Sequence, residues 1–369
     1  MLIKGRATQE GTAAYRRRFV ELADNFRVVQ GFSTSSLGVG TYLGEADGAT
    51  DRVYEQALSA ALRCGLNFID TAVNYRFQRS ERAVGRTLAA LISTAEVSRD
   101  EILIATKGGY PAFDGEMPAD PRRWFEERYV RPGIIGEGDL IDGHCMAPRY
   151  LDTMIETSRA NLGLETIDIY YLHNPEAQLS RLERSEFLTR MRRAFELLET
   201  KAREGKIGVY GTATWNGYRV EPHDRFYLSL SELEGIAREV GGPGHRFRAI
   251  QLPYNLAMTE AVAAQNQVLA NETGSVVRVA SALGIDVFAS APLLQGRLAR
   301  GLPPFIAEVL GGLSSDAQRA VQFVRSTPGI GVALVGIKSI THLDEIVELA
   351  RRPPAPPEQF AKLFRQSQS

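Results

Sequence analysis

The sequence predicts an α/β fold: a parallel eight-stranded (β/α)8 barrel of the TIM type, with an N-terminal extension and long inserts at the C-terminal face of the strands. Three observations point there. Short apolar runs alternate with longer segments of helical period, the pattern of a parallel sheet whose strands are joined by helices. The alternation repeats eight times, the strand–helix count of a closed barrel. Several helical segments end in Gly directly before the next strand, and Gly supplies the left-handed conformation that closes a helix. A doubly wound open sheet of eight strands is the alternative with the same pattern. At 369 residues the chain would suit two or three domains of roughly 100–200 residues, but α/β barrels reach this size as one unit.

In chain order, strands are expected at Leu37–Gly40, Asn67–Ile69, Ile102–Thr106, Asp168–Leu172, Ile207–Gly211, Ala249–Leu252, Asp286–Ser290 and Val332–Gly336. Helices are expected at Thr50–Cys64, Ser80–Ile92, Tyr150–Leu162, Phe187–Glu204, Ser229–Val240, Val276–Leu283, Ser315–Ser326 and Thr341–Ala350. Gly65, Gly163, Gly205 and Gly284 are the closing glycines. The barrel thus occupies 37–350. Residues 1–36 precede it, with helical character over Ala13–Asp24. Two inserts exceed the bare barrel: Gly108–Arg149 between the third strand and its helix, and Leu256–Ser275 after the sixth strand. Connections longer than about 12–15 residues are usually functional lids or mobile segments. Both inserts (108–149 and 256–275) fall at the end of the barrel where active sites are built. In the tail, 351–369, the run Pro353-Pro354-Ala355-Pro356-Pro357 reads as a stiff extended surface connector.

Composition is that of an ordinary globular chain, 44% apolar and 24% charged, and 43 basic against 44 acidic residues leave a net charge of −1. Such a chain carries no electrostatic footprint for nucleic acid or an anionic membrane. No run of about 18 apolar residues is available to span a bilayer. The opening MLIKGRATQEGTAAYRRRF lacks the apolar core of a secretory signal. Cys64 and Cys145 stand far apart, without metal-ligand spacing. Neither a disulfide framework nor a metal site is expected, and a reducing cytoplasm fits.

On a barrel the residues to inspect are polar side chains at the C-terminal strand ends. The second strand runs into Asp70-Thr71-Ala72 with Tyr75 close behind, the third ends Ala105-Thr106-Lys107, and the fourth ends Tyr171-Leu172-His173-Asn174. An Asp, a Tyr, a Lys and a His therefore point into one mouth. Singly each has a bland reading: Asp70 as a turn cap, Lys107 as a solvated cation, His173 as a structural histidine. Together they have a chemical logic. Reduction of a carbonyl by hydride leaves an alkoxide that needs a proton and a stabilising donor. A free Tyr, with a pKa near 10, is a weak acid for that task. A nearby ammonium lowers the phenol's pKa, and a carboxylate holds the ammonium in place. A neutral imidazole orients the carbonyl oxygen. Tyr75 is the expected acid, Lys107 and Asp70 its tuners, and His173 the orienter.

Around these residues the chain resembles the aldo-keto reductase superfamily. The likeness is carried by Gly38-Val39-Gly40-Thr41-Tyr42, by Asn67-Phe68-Ile69-Asp70-Thr71-Ala72 with Tyr75 and Ser80-Glu81, and by Ala105-Thr106-Lys107. It continues through Ser158-Arg159-Ala160-Asn161-Leu162-Gly163, Ile167-Asp168-Ile169-Tyr170-Tyr171-Leu172-His173 and Gly205-Lys206-Ile207. It spans about residues 36–350 in the family's order. The resemblance implies a (β/α)8 enzyme that reduces an aldehyde or ketone with NAD(P)H, its catalytic tetrad falling on Asp70, Tyr75, Lys107 and His173. A catalytically weak or inactive barrel, serving as a nicotinamide-sensing or partner-binding module, is the alternative.

The cofactor positions follow from the same resemblance. Gly40, Thr41 and Tyr42 would lie near the nicotinamide. Ala213 and Thr214 replace a Ser-Asn pair that holds the carboxamide, while Gln251 is retained. That change removes roughly 1–2 hydrogen bonds, each worth about 0.5–1.5 kcal/mol net. Ser290-Ala291-Pro292-Leu293 replaces Tyr-Ser-Pro-Leu, so Leu293 is kept but the stacking ring is lost unless Tyr254 or Trp215 substitutes. Lys338 and Ser339 resemble the loop that holds an adenosine 2′-phosphate on a helix N-terminus. Asp344 stands where an Arg would follow, so NADP(H) is expected over NAD(H) on weakened grounds. No Rossmann fingerprint is present, since the spacing Gly38-x-Gly40-x-x-x-Gly44 is one residue too long. In the 108–149 insert, Trp124, Phe125 and Tyr129 bear on substrate choice, and His144-Cys145, with no third ligand near, read as packed lid residues. Thr214 through Arg219 form a further wall of the cleft, and Arg219 or Arg149 is placed to meet an acidic substrate.

Overall fold

The apolar runs become β1 (Leu37–Gly40), β2 (Phe68–Asp70), β3 (Leu103–Gly108), β4 (Ile167–His173), β5 (Ile207–Ala213), β6 (Phe247–Pro253), β7 (Asp286–Ser290) and β8 (Ile330–Gly336). In this computed structural model, which describes residues 2–337 and 339–365, all eight strands are parallel and close into a barrel. The closing pairs run from Ala333 opposite Leu37 to Gly336 opposite Gly40. A helix follows each strand: α1 (Gly48–Arg63), α2 (Arg79–Ser93), α3 (Pro148–Leu162), α4 (Arg184–Arg203), α5 (Leu230–Gly241), α6 (Val276–Ala282), α7 (Asp316–Ser326) and α8 (Ile340–Ala350). Side chains cap several of them; Asp47, Ser229, Ser275 and Ser315 each accept a backbone N–H of the first turn. Gly65, Gly163, Gly205 and Gly284 all have positive φ (+86°, +67°, +73° and +66°), as their closing role requires.

Alternation along the strands sets up the site. Every second strand residue points inward, and Phe68, Ala105, Tyr171, Ala249, Phe288 and Leu334 lie in the cluster that fills the barrel. Phe68 and Phe288 stack across it at 5.0 Å. Two residues further along the same strands come Asp70, Lys107, His173, Gln251, Ser290 and Gly336. A dry plug thus supports a polar or small layer at the C-terminal rim. Close strand packing has a residue-level condition: a Cβ at position 211 would sit 1.7 Å from the Ala249 carbonyl oxygen, so only Gly is accommodated there.

The N-terminal extension closes the opposite end. A helix (Gln9–Arg17) leads to an antiparallel hairpin, Phe26–Val29 with Phe32–Ser35, which the periodicity did not foretell. Its contacts are to strand beginnings and to the last turn of α7. The Arg27 guanidinium donates to the Ile330 and Arg325 carbonyls, Gln30 Nε2 donates to the Arg248 carbonyl at 3.0 Å, and Ser35 N–H donates to Asn67 Oδ1 at 2.8 Å. Beneath it Arg99 and Asp168 form a buried ion pair at 2.7 Å.

Three segments expected as open connections are folded. The 108–149 insert contains a helical turn at Pro121–Phe125, and the 256–275 insert contains a helix at Glu260–Ala263 and a hairpin of Gln267–Leu269 with Glu272–Gly274. Beyond its prolines the tail forms a helix, Pro357–Arg365, whose buried Phe360 stacks on Phe323 of α7 at 5.5 Å. It packs on the barrel wall and is more than a surface connector. Among the described residues no helix is long and apolar enough to cross a membrane.

Candidate active site

Lys107 anchors the rim. It is 1% exposed, and its Nζ donates to Asp70 Oδ1 at 2.8 Å, Asp70 Oδ2 at 2.7 Å and the Thr71 carbonyl at 2.8 Å. All three ammonium protons are thereby used. Burial pulls the Lys107 pKa down, and the Asp70 carboxylate opposes that shift. Asp70 also accepts from Gln251 Nε2 at 2.8 Å. One donor of the residue assigned to the cofactor carboxamide is therefore committed to the ion pair, while its second N–H and its carbonyl oxygen are not. Below, Thr106 donates to Glu81 Oε1 at 2.6 Å and Asn161 donates to Glu81 Oε2 at 2.9 Å. Glu81 and Asn161, part of the family-like pattern, brace α2 and α3 against β3 rather than enter the mouth.

Tyr75 lies in the turn after β2, its ring centroid 5.1 Å from Lys107 Nζ. The phenol does not show the lowering expected from the ammonium. Enclosure by protein, then the Asp70 carboxylate, push the phenol well above its ordinary value, because Lys107 is already paired with Asp70. The ammonium still faces the ring, as in a cation–π contact. Arg76, Phe77 and Gln78 follow with φ of 50°, 55° and 71°, three successive left-handed residues without a glycine. Arg76 holds this turn through Asp51 at 2.5 Å and the Glu45 carbonyl at 2.7 Å. On the other side, Gln78 Nε2 donates to the Phe113 carbonyl at 2.9 Å and Gly115 N–H to the Phe77 carbonyl at 2.8 Å.

His173 faces Tyr75 edge-on at 5.9 Å between ring centroids. It keeps an open edge at the mouth, but protein surrounds the ring, and that burial together with Lys107 holds its pKa well below 6.5. The imidazole is therefore neutral near pH 7. Tyr42, 57% exposed, packs on Tyr75 at 5.0 Å, and Tyr110 of the insert packs on His173 at 5.3 Å.

The remaining expected positions divide. Gly40 pairs with Asp70 in register. Thr41 is buried, its hydroxyl donating to the Asp70 carbonyl at 3.2 Å. Thr214 is buried beside β6, its N–H donating to the Gln251 carbonyl at 2.8 Å, while its hydroxyl has no protein partner. Leu293 is half-buried in the loop after β7. Ser339 caps α8, accepting from His342 N–H at 3.2 Å, whereas Lys338 lies outside the described residues. Asp344 is exposed on α8, and burial, with a smaller contribution from Asp344 and opposed by Arg351, raises the pKa of the Cys64 thiol at the end of α1. One expectation fails. Tyr254 is fully buried against Phe323, its hydroxyl accepting from Thr327 Oγ1 at 3.1 Å, so it cannot replace the missing stacking ring. Arg219 pairs with Glu260 at 2.6 Å, so its charge is already matched. Trp215 stays 42% exposed, its loop held by Glu176, whose Oε1 accepts the N–H groups of Trp215, Asn216 and Gly217 at 2.9, 3.1 and 3.4 Å. Glu176, Tyr110 and His144 were not read as parts of the site. The Gly108-Gly109 pair directly after Lys107 was the available signal, since paired glycines mark close backbone approach.

The profile of the aldo/keto reductase family matches residues 36–302, and the chain belongs to that family, whose members are NAD(P)H-dependent oxidoreductases acting on carbonyl groups. It is 26% identical over 275 residues to the NADH-specific methylglyoxal reductase of Escherichia coli (strain K12), covering 73% of this chain and 68% of that one. It is 25% identical over 342 residues to the aldo-keto reductase YhdN of Bacillus subtilis (strain 168), covering 86% of each. In fold it is similar to an aldo/keto reductase from Klebsiella pneumoniae solved with NADP and acetate, at a TM-score of 0.62, 21% identity and coverage of 93% and 95%.

Proposed function

We propose that this barrel reduces an aldehyde or ketone to its alcohol, with Tyr75 as the proton donor. The observation that carries the reading is the convergence of Asp70, Lys107, Tyr75 and His173 at one rim. The residues present fit a nicotinamide ring. Thr214 offers an unpartnered buried hydroxyl beside Gln251, and the small residues Gly40, Ala213 and Ser290 stand at neighbouring strand ends. Thr214 and the free end of Gln251 would hold the carboxamide, with Thr41, Tyr42 and Leu293 around it and Lys338 and Ser339 toward the far end of the dinucleotide. Bound NAD(P)H supplies the hydride; the chain supplies orientation and the proton. Neutral His173 donates a hydrogen bond to the carbonyl oxygen, and Tyr75 Oη passes its proton to that oxygen as it becomes an alkoxide. Lys107, paired with Asp70 and facing the Tyr75 ring, helps hold that ring in place.

We assign NADP(H) as the preferred cofactor. What supports it is the likeness of the Lys338-Ser339 run to a phosphate-holding loop at the N-terminus of α8, which Ser339 caps, with Asp344 on the same helix opposing an added negative charge. The free cysteines, Cys64 half-buried and Cys145 buried, suit a reducing compartment, and we place the protein in the cytoplasm. Among the described residues no cluster of three His, Cys, Asp or Glu is arranged to hold a metal.

The test is a fluorescence or calorimetric titration with NADPH and NADH, followed by assay of Tyr75→Phe on a panel of aldehydes. NADPH is expected to bind the more tightly. The variant should lose roughly 10²–10⁴-fold in kcat, the contribution of a positioned general acid. Binding of neither cofactor would sink the enzyme reading in favour of a partner-binding barrel, and a fully active Tyr75→Phe would move the proton donor elsewhere.

A further inference from the structure

We propose that His144, brought in by the 108–149 insert, is a positioning residue for His173, so that the insert is part of the reductase machinery as well as a wall of its cleft. His144 is fully buried, and its Nε2 lies 2.9 Å from the His173 carbonyl oxygen. A carbonyl only accepts, so Nε2 carries the proton and the tautomer is fixed. Burial keeps the ring neutral, with its pKa pushed down to about 4.

The acceptor matters because of where it sits. At His173 the chain leaves β4 and turns into Asn174, whose φ of 50° and ψ of 58° are left-handed. The Asn174 N–H still reaches β5, donating to the Ala213 carbonyl at 2.6 Å. On the β5 side the Trp215 N–H is taken by Glu176. His144 supplies a donor to the His173 carbonyl from outside the sheet. A buried carbonyl left without a donor costs about 1–3 kcal/mol, and the corner that aims the imidazole would be free to rotate.

Second, His144 is itself held on several sides. It exchanges backbone hydrogen bonds with Ile141 at 2.8 and 2.9 Å, and the Cys145 N–H donates to the Gly109 carbonyl at 2.7 Å. Gln178 Nε2 donates to the His144 carbonyl at 3.2 Å. Third, the two histidines share a ring and a glycine. Tyr110 stands edge-on to His144 at 5.1 Å and to His173 at 5.3 Å, and its hydroxyl accepts from Asn174 Nδ2 at 3.3 Å. A Cβ at Gly109 would lie 2.6 Å from the His173 carbonyl oxygen and 2.8 Å from His144 Nε2. Glycine is what lets the two approach. Together these contacts over-determine the position of one residue, as preorganised sites require.

The inference rests on the reductase reading, and its test separates the two. His144→Gln keeps an N–H donor near the place of Nε2, and His144→Met fills similar volume without one. With both variants shown folded by circular dichroism and thermal melting, His144→Met should lower kcat about tenfold or more with KM little changed, since small misplacement of a reacting group is costly. His144→Gln should restore most of that rate. Equal rates for His144→Met and wild type, or equal losses in both variants, would overturn the positioning role. A readout independent of turnover is the long-range ¹⁵N–¹H spectrum of the five histidines, with His173 assigned by His173→Ala. The His173 ring signals should shift in His144→Met and return in His144→Gln; an unmoved spectrum would likewise refute the proposal. Failure of wild type to turn over any carbonyl would count against the reductase reading alone.

Discussion

At the scale of the residue, the Asp70–Lys107 pair decides how the site titrates. A free ammonium beside Tyr75 would lower the phenol's pKa, but this one gives all three protons to Asp70 and Thr71. Tyr75 therefore stays protonated well above 10, and His173 stays neutral to well below 6.5. Neither group changes charge near neutrality. The reduction rate, kcat/KM at saturating cofactor, should be flat from about pH 7 to about pH 9, because the acid limb of His173 and the alkaline limb of Tyr75 both lie outside that window. A pH profile measures this directly; an alkaline fall centred near pH 8 would show that Lys107 does acidify the phenol. The four side chains were legible in the sequence because strand-end position and chemistry coincide there. The sign of the tuning was not, because it depends on how the ammonium's protons are shared. Nor was the Gln251–Asp70 hydrogen bond, which joins residues 181 apart.

At the scale of the element, the turn between β2 and α2 carries Tyr75 on strained backbone. Left-handed geometry costs roughly 1–2 kcal/mol per non-glycine residue, and Arg76, Phe77 and Gln78 adopt it in succession. Contacts on both flanks offset that cost: Asp51 and Tyr54 of α1 against Arg76, and Phe113 and Gly115 of the insert against Phe77 and Gln78. Asp51 is the key anchor, since it also pairs with Arg79 at 2.8 Å. Asp51→Asn leaves the buried Arg76 guanidinium without its counter-charge and should destabilise the protein by about 3 kcal/mol, the scale for breaking a buried pair. Denaturant unfolding measures the loss. Activity should fall further than stability predicts, because the freed turn carries Tyr75, the proposed proton donor; unchanged kcat in the folded variant would show that the turn does not set Tyr75. Nothing in Tyr75-Arg76-Phe77-Gln78 announces this conformation. Left-handed turns are usually read from glycine, and here long-range pairing enforces one.

At the scale of the whole molecule, the barrel separates a supporting end from a reacting end. The N-terminal hairpin and the Arg99–Asp168 pair close the strand beginnings, while the inserts gather at the strand ends. Periodicity revealed the eight repeats because each strand and helix buries a regular face. It did not reveal the hairpin, the folded inserts or the C-terminal helix, whose residues are set by what they dock against. His144 shows the consequence, since a docking insert places a neutral histidine fully inside the protein, and folding is thereby linked to protonation. Its folded pKa, about 4, lies below the ordinary 6.5, so the unfolded chain binds a proton that the folded chain refuses. The His144 contribution is fully present above about pH 6.5 and is lost as pH falls toward 4. Glu81 and Glu176, buried carboxyls with raised pKa, act with the opposite sign, so the wild-type curve alone is ambiguous. The difference between wild type and His144→Gln cancels them. Measured by denaturant unfolding, that difference should move against wild type by roughly 2–3 kcal/mol between about pH 7.5 and about pH 4.5. A constant difference would mean that His144 titrates as freely in the folded protein as in the unfolded chain, and that the insert does not enclose it.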